Sequence, residues 1–184
     1  MSAPLSELVT ADELLNMGGV GRCELIYGEL VRMDFAGFAH GIVAGRIGML
    51  LGDFVEFHDL GMVLAAGTGF KIESNPDLVR APDASFIHKS RVPAKLTWGF
   101  FLGAPELAVE VVSPDDATRE VSEKANMWLA HGTTSVWVVD PSSMTIAVHR
   151  TGKKPIRLGI RDVLRDEPAL PGFSVPISRI FKRP

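Results

Sequence analysis

The run Pro105-Glu106-Leu107-Ala108-Val109-Glu110-Val111-Val112-Ser113-Pro114 constrains this chain more than any other stretch. Its small and β-branched apolar residues read as a core strand, and its flanking prolines cannot take part in a central ladder. Glu110 lies in the middle of it. An ionised carboxylate inside a sheet costs on the order of several kcal/mol unless it is paired, protonated or bound to a metal. A second acid, Asp83, has a similar setting in Val79-Arg80-Ala81-Pro82-Asp83-Ala84-Ser85-Phe86-Ile87. Two carboxylates on strands expected to be neighbours ask for a cation between them. Hard oxygen ligands of this type suit Mg2+ or Mn2+, which take one or two carboxylates plus water and substrate phosphate. The competing reading is that each acid pairs or caps locally, Asp83 closing a turn after Pro82.

Lys124 is the third element. The pattern predicts a helix over Thr118 to Ala130, on which Val121, Lys124 and Trp128 share one apolar face. A lysine there points toward the core side. Near a metal and a phosphate, its ammonium can orient water or steady developing negative charge. The alternative is a surface pair with Glu120. Glu24, in the first strand, adds a metal ligand or holds the water; otherwise it is an exposed hairpin residue.

The remaining pattern is that of one mixed α/β domain spanning 1–184. Thr10-Ala11-Asp12-Glu13 has the spacing of a capping box and opens a short helix. Two strands follow around a tight turn at Tyr27-Gly28. From Phe38 to His58 the apolar period becomes helical. Gly41, Gly45, Gly48 and Gly52 within that helix predict close packing against a neighbour, and they point to a homodimer. Short strands follow, then the helix carrying Lys124, the strand Ser135 to Asp140, and an edge-side strand over Met144 to His149 that offers a second contact surface.

Charge and cysteine content narrow the function. With 19 basic and 22 acidic residues the formal net charge is −3, so the chain lacks the basic balance of a dedicated nucleic-acid binder. Contact with DNA then needs a local patch or a groove built by an oligomer. Lys89, Arg91 and Lys95 offer such a patch, or else a solvated loop. The single cysteine, Cys23, allows no internal disulfide and no cysteine zinc cluster, which fits a cytoplasmic setting. No run of about 18 apolar residues occurs and Met1 to Val9 lacks the form of a secretory signal, so no membrane partner is expected. His40 opens the long helix, where it either contacts substrate or bonds to backbone.

Taken together, Cys23-Glu24-Leu25-Ile26-Tyr27-Gly28-Glu29-Leu30, His40, Ala81-Pro82-Asp83, the Pro105–Pro114 run, Glu123-Lys124 and Trp137-Val138-Val139-Asp140-Pro141 form a specific set. In these pieces the chain resembles the Uma-two family of restriction-endonuclease-like proteins, within the PD-(D/E)XK nuclease superfamily, over about Thr10 to Phe181. The resemblance implies a restriction-endonuclease-like core: a central mixed sheet flanked by helices. It implies a site of Glu24, Asp83, Glu110 and Lys124, and a Mg2+- or Mn2+-dependent cut of a phosphodiester in DNA. In the superfamily the lysine stands two residues after the second acid. Here that position is Val112, and Lys124 looks like its replacement. Cys23 and Trp128 read as packing changes that leave the site intact. A non-catalytic nucleic-acid-binding or assembly module on the same fold is the alternative, and a hydrolase of smaller phosphoesters a third.

Overall fold

Local chemistry starts and turns the first elements as the pattern predicts. The computed structural model describes residues 8–113 and 116–182, so the residues before Leu8 and Pro114, at the end of the Glu110 run, lie outside the described residues. Helix α1 (Ala11–Asn16) begins where the Thr10 side chain accepts the Glu13 N–H and Glu13 in turn accepts the Thr10 N–H at 2.7 Å. Strands β1 (Cys23–Ile26) and β2 (Glu29–Arg32) pair about Tyr27 and Gly28, both at positive φ (51° and 84°). That turn matches the right-handed twist of the strands it joins.

The chain continues through α2 (Phe38–Phe57), β3 (Gly61–Ala65), β4 (Phe70–Glu73), β5 (Leu78–Arg80), β6 (Ala84–His88), a 3-10 turn at Lys89–Arg91, and β7 (Phe101–Leu102). Then come β8 (Leu107–Val111), α3 (Thr118–Ala130), β9 (Ser135–Asp140), β10 (Thr145–Arg150), β11 (Ile156–Leu158), β12 (Val163–Leu164), β13 (Val175–Pro176) and α4 (Ile177–Ile180). Six strands form a mixed sheet in the order β11-β10-β9-β8-β6-β3, and five form a second in the order β2-β1-β5-β4-β7. Only β8 and β9 run parallel in the larger sheet, and α3 makes the crossover that a parallel pair requires.

Side-chain alternation along β8 sorts the two faces. Leu107, Val109 and Val111 join the main core, where Val43, Ile47, Leu51 and Val55 of α2 pack. Ala108 points to the other face and meets Ala125 and Trp128 of α3. Glu110, two residues on from Ala108, shares the α3 face. A smaller cluster of Ala11, Leu14, Leu25 and Val79 ties α1 to the second sheet.

Three expectations change. A Cβ added at Gly41, Gly45, Gly48 or Gly52 meets nothing within 4 Å, so these glycines do not mediate close packing within the chain. Only one face of α2 is needed to cover the sheet, and the glycines lie off it. The Met144–His149 segment is not an edge: β10 pairs with β9 on one side and β11 on the other. Ile156–Leu158, short and mostly exposed, carried too weak a pattern to be read as the strand that covers it. Finally, α2 is long and apolar enough by length and composition to cross a membrane. In this fold its buried residues lie against the sheet, and Arg46, Asp53 and Glu56 interrupt it.

Candidate active site

The chain passes from the second sheet to the first at Ala81-Pro82-Asp83, between β5 and β6. Pro82 has no N–H to continue a ladder. Asp83 takes over at that point in two ways. Its N–H donates to the Val109 carbonyl at 2.9 Å, and its Oδ2 accepts the Val111 N–H at 2.8 Å. Asp83 is thus bonded to the residues on both sides of Glu110. His40, in the first turn of α2, adds a third contact, with Nε2 3.1 Å from Asp83 Oδ2.

Glu110 is 8 % exposed and faces α3. That helix supplies one partner to each of its oxygens. The Trp128 indole N–H donates to Oε1 at 2.7 Å, and Lys124 Nζ lies 2.9 Å from Oε2. Lys124 also reaches Glu24 Oε1 at 3.5 Å. Glu24 itself is buried in β1; its Oε1 accepts the Ala81 N–H at 2.9 Å and its Oε2 lies 3.2 Å from Arg80 Nε. Leu25 pairs with Val79 across β1 and β5, so Glu24 and Arg80 fall at the next cross-strand position.

The electrostatics follow from this crowding. Burial pushes the Glu110 carboxyl above its usual range; Lys124 opposes this, the Asp83 charge adds to it, and the Trp128 bond opposes it. Burial alone would lower the Lys124 ammonium, but Glu110 and Glu24 outweigh it and hold it above its ordinary value. The 2.9 Å contact between Lys124 Nζ and Glu110 Oε2 has the geometry of an ion pair. His40 is raised by its hydrogen bond to Asp83, against the effect of burial; the charge of Asp116 also raises it and that of Arg22 lowers it.

Glu24, Lys124 and Glu110 therefore form one bonded set and Asp83 with His40 another, the two joined through the Val109 and Val111 backbone on either side of Glu110. Lys89 and Arg91 belong to neither. They follow the far end of β6, about 20 Å from Asp83 along an extended strand. Lys89 pairs with Asp59, and Arg91 bonds to Glu106 and the Ala104 carbonyl. Both cations are thus paired away from the acids, Lys89 on an exposed surface. Surface depressions near Arg150 and Asp162, and near Glu106 and Thr134, also lie away from the acids.

Two partners of the acids escaped the sequence reading. Trp128 is not a packing change alone, since its N–H is a direct partner of Glu110. The signal was present: a buried indole needs an acceptor, and Trp128 stands one turn from Lys124. Arg80 was visible only as a charge in an apolar strand. Among the described residues no group of three or more His, Cys, Asp or Glu side chains is arranged to hold a metal. Among the described residues Asp83 and Glu110 offer two carboxylates, a donor set that suits an ion completed by water and phosphate.

The architecture is a mixed sheet between helices, with buried acids and a lysine at the seam between the two sheets. Residues 11–178 match the model of the Uma2 family, described as "Putative restriction endonuclease", and the chain belongs to that family. Its fold is shared with a solved structure from Anabaena variabilis ATCC 29413, titled a putative nuclease belonging to DUF820, at a TM-score of 0.80. The two are 21 % identical, and the match covers 94 % of this chain and 97 % of that one. No curated protein matches the chain.

Proposed function

We propose that this protein is a divalent-metal-dependent endonuclease that hydrolyses phosphodiester bonds in DNA. The observation that carries the proposal is the convergence of Asp83, Glu110 and Lys124 at the junction of the two sheets, with Asp83 bonded to both neighbours of Glu110. Asp83 and Glu110 would hold Mg2+ or Mn2+. Both oxygens of Glu110 already accept one bond each, and a carboxylate has about four lone-pair sites, so capacity is left. When bound, such an ion lowers the pKa of a coordinated water and stabilises charge on a phosphoryl oxygen.

The chain's own groups supply the rest. An ammonium has three donors. Two of those of Lys124 face Glu110 and Glu24, and the third is left for a phosphate oxygen or the attacking water. Glu24, anchored by Arg80 and the Ala81 N–H, holds Lys124 in place rather than meeting substrate itself. His40 and the Val111 N–H fix the plane of Asp83. Water attacks in line and no covalent enzyme intermediate forms. Asp83→Ala and Glu110→Ala are each expected to abolish both Mg2+-dependent cleavage of DNA, offered as single strand and as plasmid, and the heat of Mg2+ binding. Undiminished cutting by either variant rules the assignment out.

One observation favours a second reading, a non-catalytic binding module. Lys124 and Trp128 satisfy Glu110 without any added cation. Titration calorimetry with Mn2+ separates the two, since the module gives no heat of binding.

A further inference from the structure

The segment between β2 and α2 leads straight into the site and has an unusual surface. Phe35 is fully exposed and Phe38 is 87 % exposed. Phe38 stands two residues before His40, whose ring is bonded to Asp83. Two exposed arginines border the same segment. Arg22 accepts the Met33 N–H through its carbonyl at 2.9 Å, and its charge acts on His40. Arg32 closes β2, opposite Cys23. Among the described residues neither arginine has a carboxylate partner, and Asp34 sets a single acid in the segment against them.

Exposed aromatic rings beside unpaired cations are the parts of a single-strand surface: cations follow the backbone while rings stack on bases. We infer that Phe35 and Phe38 stack on unpaired bases of single-stranded DNA, with Arg22 and Arg32 on its phosphates, and so deliver a strand to Asp83 and Glu110. This rests on the nuclease reading and adds the form of its substrate. One feature favours a single strand over a duplex: base faces are open to a ring only when unstacked.

The test is binding of a short fluorescein-labelled single strand, and of the duplex of the same sequence, to the full chain in EDTA. The Phe35→Ala/Phe38→Ala variant changes only exposed side chains. It is expected to weaken single-strand binding at least about tenfold and duplex binding less than about twofold. Arg22→Ala/Arg32→Ala is expected to weaken both and to reduce the salt dependence of each. Equal losses on both ligands from the aromatic variant, or no loss on the single strand, overturns the inference. So does wild-type protein that is dimeric and becomes monomeric in the aromatic variant, because a second copy then covers the rings. The nuclease reading is judged separately with Asp83→Ala. If that variant stops cleavage while the rings make no difference, only the stacking surface fails; if it still cuts, the nuclease assignment fails whatever the rings do.

Discussion

Removing the Lys124 ammonium while keeping its stem, as in Lys124→Met, isolates the central electrostatic claim. In the native protein the Lys124, Glu110 and Glu24 side chains are 17 %, 10 % and 3 % exposed. Glu24 keeps Arg80 after the change, but Glu110 loses its cationic partner and retains only the Trp128 N–H. Breaking a buried pair from one side costs about 3–5 kcal/mol, a substantial share of the roughly 5–15 kcal/mol that holds a typical domain together. The cost has a definite pH signature. Burial raises the folded pKa of Glu110 above its ordinary 4.5, and Lys124 is the largest influence holding it down, so the variant raises it further. A group with a raised folded pKa binds protons more tightly in the native state; its contribution is fullest below the unfolded pKa and is lost as pH rises through the folded one. The stability gap between wild type and Lys124→Met should therefore be smallest near pH 4 and grow toward neutrality, by up to about 1.4 kcal/mol for each pKa unit of added shift. Urea unfolding across that range measures it. A gap that is constant with pH, or below about 1 kcal/mol at neutral pH, refutes the ion pair at the heart of the site.

Other outcomes follow from the same geometry. Trp128→Phe removes a bond to a charged acceptor and should cost about 1.5–3 kcal/mol beyond the lost ring area. A double-mutant cycle with Glu110→Gln in urea unfolding should show coupling, and independent effects would count against the bond. In Asp83→Asn the His40 pKa should fall, because Asp83 is what raises it; NMR titration of the ring proton reads this directly. In wild type the stability tied to that histidine is present below about pH 6.5 and disappears as pH rises through its raised value. Gly45→Ala and Gly48→Ala meet open space in a helix interior and should each raise stability by up to about 1 kcal/mol. Destabilisation, with a concentration-dependent Tm, would instead show a partner seated on that face.

Much of the site was readable because burial of charge leaves a local mark. Glu110 stands out in its strand by type alone, and the apolar face of the second long helix puts Lys124 inward. The Thr10 capping box and the Tyr27-Gly28 turn are settled by a few adjacent residues, and they appear where expected. Other features leave no such mark. Nothing in the pattern distinguishes Arg80, which meets Glu24, from any other charge in a short strand, and β5 itself is only three residues long. Likewise a glycine series suits close packing and open surface equally well.

Residue chemistry and spacing along the chain were thus enough to single out Asp83, Glu110 and Lys124 as candidates, the mixed α/β class and the tight turns, because those depend on neighbours within one element; the restriction-endonuclease-like core and the full site set came from the family resemblance. The partners of each acid came from folding. His40 meets Asp83 across 43 residues, Ala81 meets Glu24 across 57, and Trp128 meets Glu110 across a helix that crosses over the sheet. Sheet order and the placement of α3 bring these groups within bonding distance, and a one-dimensional pattern holds no record of which strands will lie side by side.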